Sequence, residues 1–128
     1  MRLLLDTHIL LWWLGDDRRL KHQERAAIAS VDAMVHVSAA TTWEIAIKKG
    51  VGRLAVDTEA LERAMEAGAM LELPVRWRHT KGVATLPRHH DDPFDRLLVA
   101  QAQIEGFVLV TYDAAFRDYD VALLPAAG

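Results

Sequence analysis

The chain has no cysteine. That excludes disulfide staples and thiolate metal ligands, and it suits a reducing, cytoplasmic setting. It has no apolar run approaching the roughly 20 residues of a membrane-spanning helix, so no membrane role is expected. Leu3-Leu4-Leu5 follows a single Arg and runs straight into Asp6, which is not the pattern of a signal peptide. Surplus positive charge is also lacking. Fifteen Lys and Arg face eighteen Asp and Glu, a net charge of −3, so the broad basic field of a general nucleic-acid binder is absent. No repeat, linker or low-complexity tract divides the 128 residues. One domain, 1–128, is expected, long enough to bury about two-thirds of its unfolded surface.

What the chain does have is short apolar runs alternating with helical patterns. Arg2 to Leu5, Met34 to Val37, Met70 to Val75, Phe107 to Val110 and Val121 to Leu124 read as strands. Between them lie helical stretches. Ile9 to Leu14 is apolar on all sides and carries adjacent indoles, Trp12 and Trp13. Neighbours on a helix diverge by about 100°, so one indole is expected in the core and the other against a partner or loop. Leu20, Ala27, Ile28 and Val31 suit one face of a second helix. Ala39 to Lys49 forms a third, capped by Ser38, and a fourth starts at Asp57 or Thr58 and stops at Gly68. Trp77 to Leu86 is a short helix ending before Pro87, and Pro93 opens a longer one that Gly106 closes. A helical turn over Ala114 to Arg117 precedes the last strand, and the tail Pro125 to Gly128 is expected to fray. This alternation predicts an α/β fold, a three-layer α/β/α domain with a short, mostly parallel sheet.

The chemistry lies in the acids. Ligands of open parallel sheets bind beyond the carboxyl ends of the strands. Asp6 directly follows the first strand and Asp113 closely follows the fourth. Asp95 falls in the first turn of the helix opened by Pro93, and Glu44 about one and a half turns into the helix after the second strand. Each has an ordinary explanation. Asp6 and Asp113 suit caps or turns, Asp95 suits the positive end of its helix, and Glu44 has Lys48 four residues on. Caps, however, do not require four acids to share one sheet edge. Two like charges about 4 Å apart repel by about 4 kcal/mol at an effective dielectric of 20, so a converging set needs a counter-charge. A hard divalent ion with oxygen ligands, Mg²⁺ or Mn²⁺, meets that need and points to phosphoryl chemistry.

Four segments together resemble a known family. Leu3-Leu4-Leu5-Asp6-Thr7, Thr42-Trp43-Glu44-Ile45-Ala46, Asp92-Pro93-Phe94-Asp95-Arg96-Leu97-Leu98 and Val110-Thr111-Tyr112-Asp113 look, in this order, like a PIN-domain ribonuclease, and more narrowly like the VapC toxins of toxin–antitoxin pairs. The resemblance runs from residue 2 to about 124. It implies a PIN-like fold and a metal-dependent endoribonuclease acting on RNA. Asp6, Glu44, Asp95 and Asp113 would form the metal and catalytic site. Asp92 would be an accessory acid or only a helix cap, and Thr7 and Thr111 hydroxyls would hold carboxylates or waters. It also implies Mg²⁺ or Mn²⁺ as cofactor, a cognate antitoxin, a homodimer, and an interface for an exposed Trp12 or Trp13. Tyr112 stands where a polar or charged residue is more usual, which bears on substrate contacts rather than on the metal.

An acidic protein can still meet phosphates through local patches. Without the four site acids the charge would be +1, and Lys48, Lys49 and Arg53 form one basic cluster. Arg76, Arg78, His79, Lys81, Arg88, His89 and His90 form another. His89 and His90 are open to metal, proton-transfer, phosphate or loop roles. Competing readings are a phospho-receiver domain using Asp57, a haloacid-dehalogenase-like phosphatase, and a catalytically silent PIN-like binding module. The first wants an acidic pair after the first strand and a late Lys, and the last Lys here is Lys81. The second wants an Asp where His8 stands. Neither accounts for Glu44 and Asp95, and the intact acids weigh against the third.

Overall fold

A computed structural model describes residues 1–125. Among these residues there are five strands and six helices. They run β1 (Arg2–Leu5), α1 (Thr7–Leu14), α2 (His22–Ala29), β2 (Met34–Ser38), α3 (Ala39–Gly50), α4 (Thr58–Ala67), β3 (Leu71–Leu73), α5 (Trp77–Ala84), α6 (Pro93–Glu105), β4 (Val108–Val110) and β5 (Leu123–Leu124). A 3₁₀ turn over Ala114–Asp118 lies between the last two strands. The sheet order is β3-β2-β1-β4-β5 and every pairing is parallel. The chain therefore winds outward from β1 to one edge, returns, and winds from β4 to the other. The junction of β1 and β4 is the point where the winding reverses, and such points open a crevice at the carboxyl ends of the strands.

Strand side chains alternate between faces, and β1 shows how each face is filled. Leu3 and Leu5 join Ile9 and Leu10 of α1, Ile28 of α2, Ile45 of α3 and Leu61 of α4 in one buried cluster. Leu4 points the other way, among Leu98, Val99 and Ala102 of α6, Phe107, Leu109, Phe116 and Tyr119. Helices thus cover both faces, giving the three-layer α/β/α arrangement.

Helix ends follow local chemistry. Ser38, Asp57 and Asp92 cap α3, α4 and α6 through side-chain oxygens, and Gly106 ends α6 at φ 76°, in the left-handed region open to glycine. Three details depart from expectation. α2 ends at Ala29, and Val31, expected on its core face, is almost fully exposed. The third strand is only Leu71–Leu73 and the last only Leu123–Leu124. Trp12 and Trp13 are both half-buried against the first cluster, so neither is the free indole expected there. The freely exposed indoles are Trp43 and Trp77, at 62% and 88%. Of the tail expected to fray, residues 126–128 lie outside the described residues.

A candidate metal centre at the reversal of the sheet

Asp6 is set by the neighbouring strand. Leu5 pairs with Val110, so Asp6 and Thr111 leave the sheet side by side, and the Asp6 amide donates to the Val110 carbonyl at 3.1 Å. The Asp6 carboxylate is buried. Oδ1 accepts from the Ile9 amide at 2.8 Å, capping α1, and Oδ2 accepts from the Thr111 hydroxyl. Burial holds the Asp6 carboxyl above its ordinary range. The Thr111 and Ile9 bonds and the charge of His8 oppose this, and the Asp113 charge adds to it.

Glu44 is buried on α3. The Thr7 hydroxyl donates to its Oε1 at 2.5 Å, and Lys48 Nζ lies 2.9 Å from Oε2. The hydroxyl contacts therefore cross between segments. Thr7 holds Glu44 rather than the adjacent Asp6, while Thr111 holds Asp6 and also accepts from the Asp113 amide at 3.0 Å. Sequence adjacency suggests the opposite assignment, and strand register decides it. Asp113 caps the 3₁₀ turn through the Ala115 amide, 2.9 Å, and its side chain is about half exposed.

Asp95 sits at the start of α6. Asp92 Oδ1 accepts from the Phe94 and Asp95 amides at 2.8 and 3.0 Å, which makes Asp92 the cap of that helix. The Asp95 carboxyl is pushed up to about 7. Burial is the largest cause, followed by the Asp92 charge, with Glu44 adding a smaller push, and its bond to His90 opposes them. His90 Nε2 lies 2.8 Å from Asp95 Oδ2 and 3.7 Å from Asp113 Oδ2. One ligand atom from each of His90, Asp95 and Asp113 lies within 4.8 Å of the others. Asp6 and Glu44 stand outside this trio, linked to it by charge, Asp6 through Asp113 and Glu44 through Asp95.

His90 is the member that sequence reasoning did not place. Its position depends on contacts far along the chain. The His90 amide donates to Tyr119 Oη at 3.0 Å. The buried Arg96 guanidinium donates to Tyr119 Oη at 3.2 Å and to the carbonyls of Pro87 and Val83 at 2.9 and 3.1 Å, tying the end of α5 and the following loop to α6. The available signal is the His89-His90 pair just before the Asp92–Asp95 turn, whose role the sequence leaves open. The expected basic patches are thinner than the sequence suggests. Lys48 is engaged by Glu44, Arg78 by Glu105 at 2.6 Å, and His79 is fully buried.

The donor set fits a hard divalent cation. Oxygen atoms dominate it, and oxygens already holding one hydrogen bond keep a second lone pair.

Fold and site together define an open parallel α/β domain with carboxylates gathered where the sheet reverses. The PIN domain family model matches residues 3–122, and the chain belongs to that family. Ribonuclease VapC22 of Mycobacterium tuberculosis (strain ATCC 25618 / H37Rv) is 28% identical over 125 residues, covering 91% of this chain and 90% of that protein. Among solved structures, VapBC2 from Rickettsia felis, bound to a DNA fragment from its promoter, superposes with a TM-score of 0.72 at 16% identity, covering 96% of this chain and 97% of that one. VapBC-1 from nontypeable Haemophilus influenzae gives 0.68 at 22% identity, covering 96% of each chain. A toxin–antitoxin complex from Klebsiella pneumoniae gives 0.64 at 19% identity, covering 92% of each. At these identities the structural likeness bears on fold.

Proposed function

We propose that the protein is a metal-dependent endoribonuclease, the toxin of a toxin–antitoxin pair acting in the cytoplasm, with Asp6, Glu44, Asp95 and Asp113 as its catalytic acids. The observation that carries this reading is the gathering of Asp95, Asp113 and His90 at the reversal of the sheet, with Asp6 and Glu44 coupled to them by charge. Its similarity to a ribonuclease over nine-tenths of the chain supports the substrate class. The similar fold from Klebsiella pneumoniae, solved in a toxin–antitoxin complex, supports a protein partner. A homodimer is part of the same reading.

Asp95 and Asp113 would hold the cation, with Asp6 and Glu44 completing the negative cradle. When bound, Mg²⁺ or Mn²⁺ supplies charge neutralisation for the phosphodiester and lowers the cost of deprotonating water. The chain's own residues do the rest. Thr111 and the Ile9 amide fix Asp6, and Thr7 and Lys48 fix Glu44, so these carboxylates need little reorganisation as charge develops. His90 Nε2 lies 2.8 Å from Asp95 Oδ2, beside the carboxylates that would hold the cation. In this reading His90 would take the proton of the attacking water, or return one to the leaving ribose oxygen as its bond to phosphorus breaks.

The engagement of Glu44 by Lys48 and of Asp95 by His90 favours a second reading, a silent PIN-like module whose acids are neutralised internally. One assay separates the two. Purified protein free of any antitoxin is incubated with total RNA in Mg²⁺, in Mn²⁺ and in EDTA, beside Asp95→Asn purified in parallel. Discrete fragments that require metal and disappear in the variant are expected. Absence of cleavage by protein that binds Mn²⁺ would favour the silent module, and equal cleavage by both proteins would indicate a contaminating nuclease.

A further inference from the structure

Aromatic rings stand beside the acids in two places. On the Asp6–Asp113 side is a cavity of about 290 Å³ lined by Asp6, His8, Ile9, Trp12, Tyr112 and Asp113. Its rings are set at moderate angles, with His8 and Trp12 centroids 5.7 Å apart and Trp12 and Tyr112 centroids 6.0 Å apart. The walls are held from behind. Tyr112 Oη donates to Glu24 and accepts from the Lys21 amide at 2.9 Å, and the Arg19 guanidinium lies 4.9 Å from the centre of the Trp12 ring. The cleft is therefore built before any ligand arrives. Between α3 and the start of α6, Trp43 meets Phe94 edge-on at 5.3 Å. These rings belong to the residues immediately before Glu44 and Asp95, and Trp43 remains 62% exposed.

A phosphodiester brought to the acids must carry its flanking nucleosides over these two surfaces. Aromatic faces bind bases by stacking regardless of base identity, provided the base is free of its own helix. We propose that the His8–Trp12–Tyr112 cleft and the Trp43–Phe94 pair hold unstacked bases on either side of the phosphate presented to the carboxylates. Trp12 and Trp43 are then positioning residues, and a locally single-stranded segment is the ligand. This rests on the ribonuclease reading, but its test does not depend on cleavage.

The test titrates an unstructured 12-nucleotide RNA, and the same strand annealed to its complement, into Asp95→Asn protein with Mg²⁺, following tryptophan emission and anisotropy of an end label. Trp43→Ala and Trp12→Leu are compared in that background, with Trp→Phe at each position as the conservative rescue and thermal melts as the check of folding. Single-strand binding is expected to quench emission and the duplex is not. Trp43→Ala and Trp12→Leu should each weaken binding by roughly 5- to 150-fold, the range of one lost stacking contact, with Phe restoring most of it. In the parent chain the same changes should raise KM and leave kcat within about threefold, because the contact is made before and during the reaction alike. Equal quenching by duplex and single strand, or unchanged affinity in folded variants, would overturn the proposal while leaving any observed cleavage intact. Ring-dependent binding without cleavage would uphold it and remove the catalytic reading. If Trp43→Ala instead dissociates a dimer and leaves RNA affinity unchanged, Trp43 belongs to a protein interface and the proposal fails there.

Discussion

Asp95→Asn is expected to make the metal-free protein more stable. The Asp95 carboxyl is raised from 3.8 to about 7, first by burial and then by the Asp92 charge. A raised carboxyl stabilises the fold when protonated, so its contribution is complete below about pH 4 and is lost as pH rises towards 7. The interval corresponds to about 4 kcal/mol at one pH unit per 1.4 kcal/mol, an upper bound. The side chain is about one-fifth exposed, and an amide at the same place keeps part of the burial cost. A gain of about 1–2 kcal/mol at pH 8 is therefore expected. At roughly 2.1 cal/mol/K per residue, this becomes a rise in Tm of about 4–7 °C for a chain of this length. Scanning calorimetry or circular dichroism in EDTA, at intervals from pH 4 to 8, should show the two proteins converging at the acid end and diverging up to pH 7. Millimolar Mn²⁺ should then raise the Tm of the parent and close the gap, because an ion bound only by the folded state stabilises it. A variant less stable than the parent at pH 8, or a gap independent of pH, would refute the account of Asp95 as a carboxyl raised by burial and by the Asp92 charge.

Other substitutions test the supports of the site. Thr111→Val removes the hydroxyl on Asp6 Oδ2 and should reduce Mn²⁺ affinity about 10- to 100-fold, measured by calorimetric titration. Arg96→Ala leaves the carbonyls of Val83 and Pro87 without their donor and should cost about 2–3 kcal/mol, read as a fall in Tm of roughly 10 °C, together with loosened amide exchange around His90. Gly106→Ala places a side chain at φ 76° with only ordinary contact to Arg2 at 3.8 Å. It should therefore cost about 1 kcal/mol by strain alone in denaturant unfolding and leave metal affinity unchanged.

Much of the scaffold was legible because it is written locally. Glycine and capping residues mark the ends of α3, α4 and α6, and the unbroken burial of Leu3, Leu4 and Leu5 in β1 follows from its position between two helical layers. That Asp95 and Asp113 come together could be inferred from their places at a helix start and after a strand, whereas Asp6 and Glu44 stand outside that grouping. Contacts between distant segments could not be inferred. Which threonine holds which acid follows from the Leu5–Val110 register, and His90 reaches Asp95 because Tyr119 and Arg96 hold its loop. For the twin indoles the structure selects the loop over the partner. A helix that packs beneath a neighbouring loop and beside Tyr112 shelters both, as the Arg19–Trp12 and Trp12–Tyr112 contacts show.

The order of strands has a consequence during synthesis. β1, β2 and β3 lie side by side on the amino-terminal part of the chain, but β4 must enter next to β1, bringing Thr111 to an Asp6 made 105 residues earlier. At roughly 5–20 residues per second, the ribosome works for several seconds during which Asp6 has neither its hydroxyl nor its neighbouring acid. Through that interval one edge of β1 remains open, and the nascent chain carries the first half of the site without the second. Competence thus arrives abruptly and near the end of translation. A partner protein made earlier or alongside would meet each new copy before, or as, its last acids close on the first.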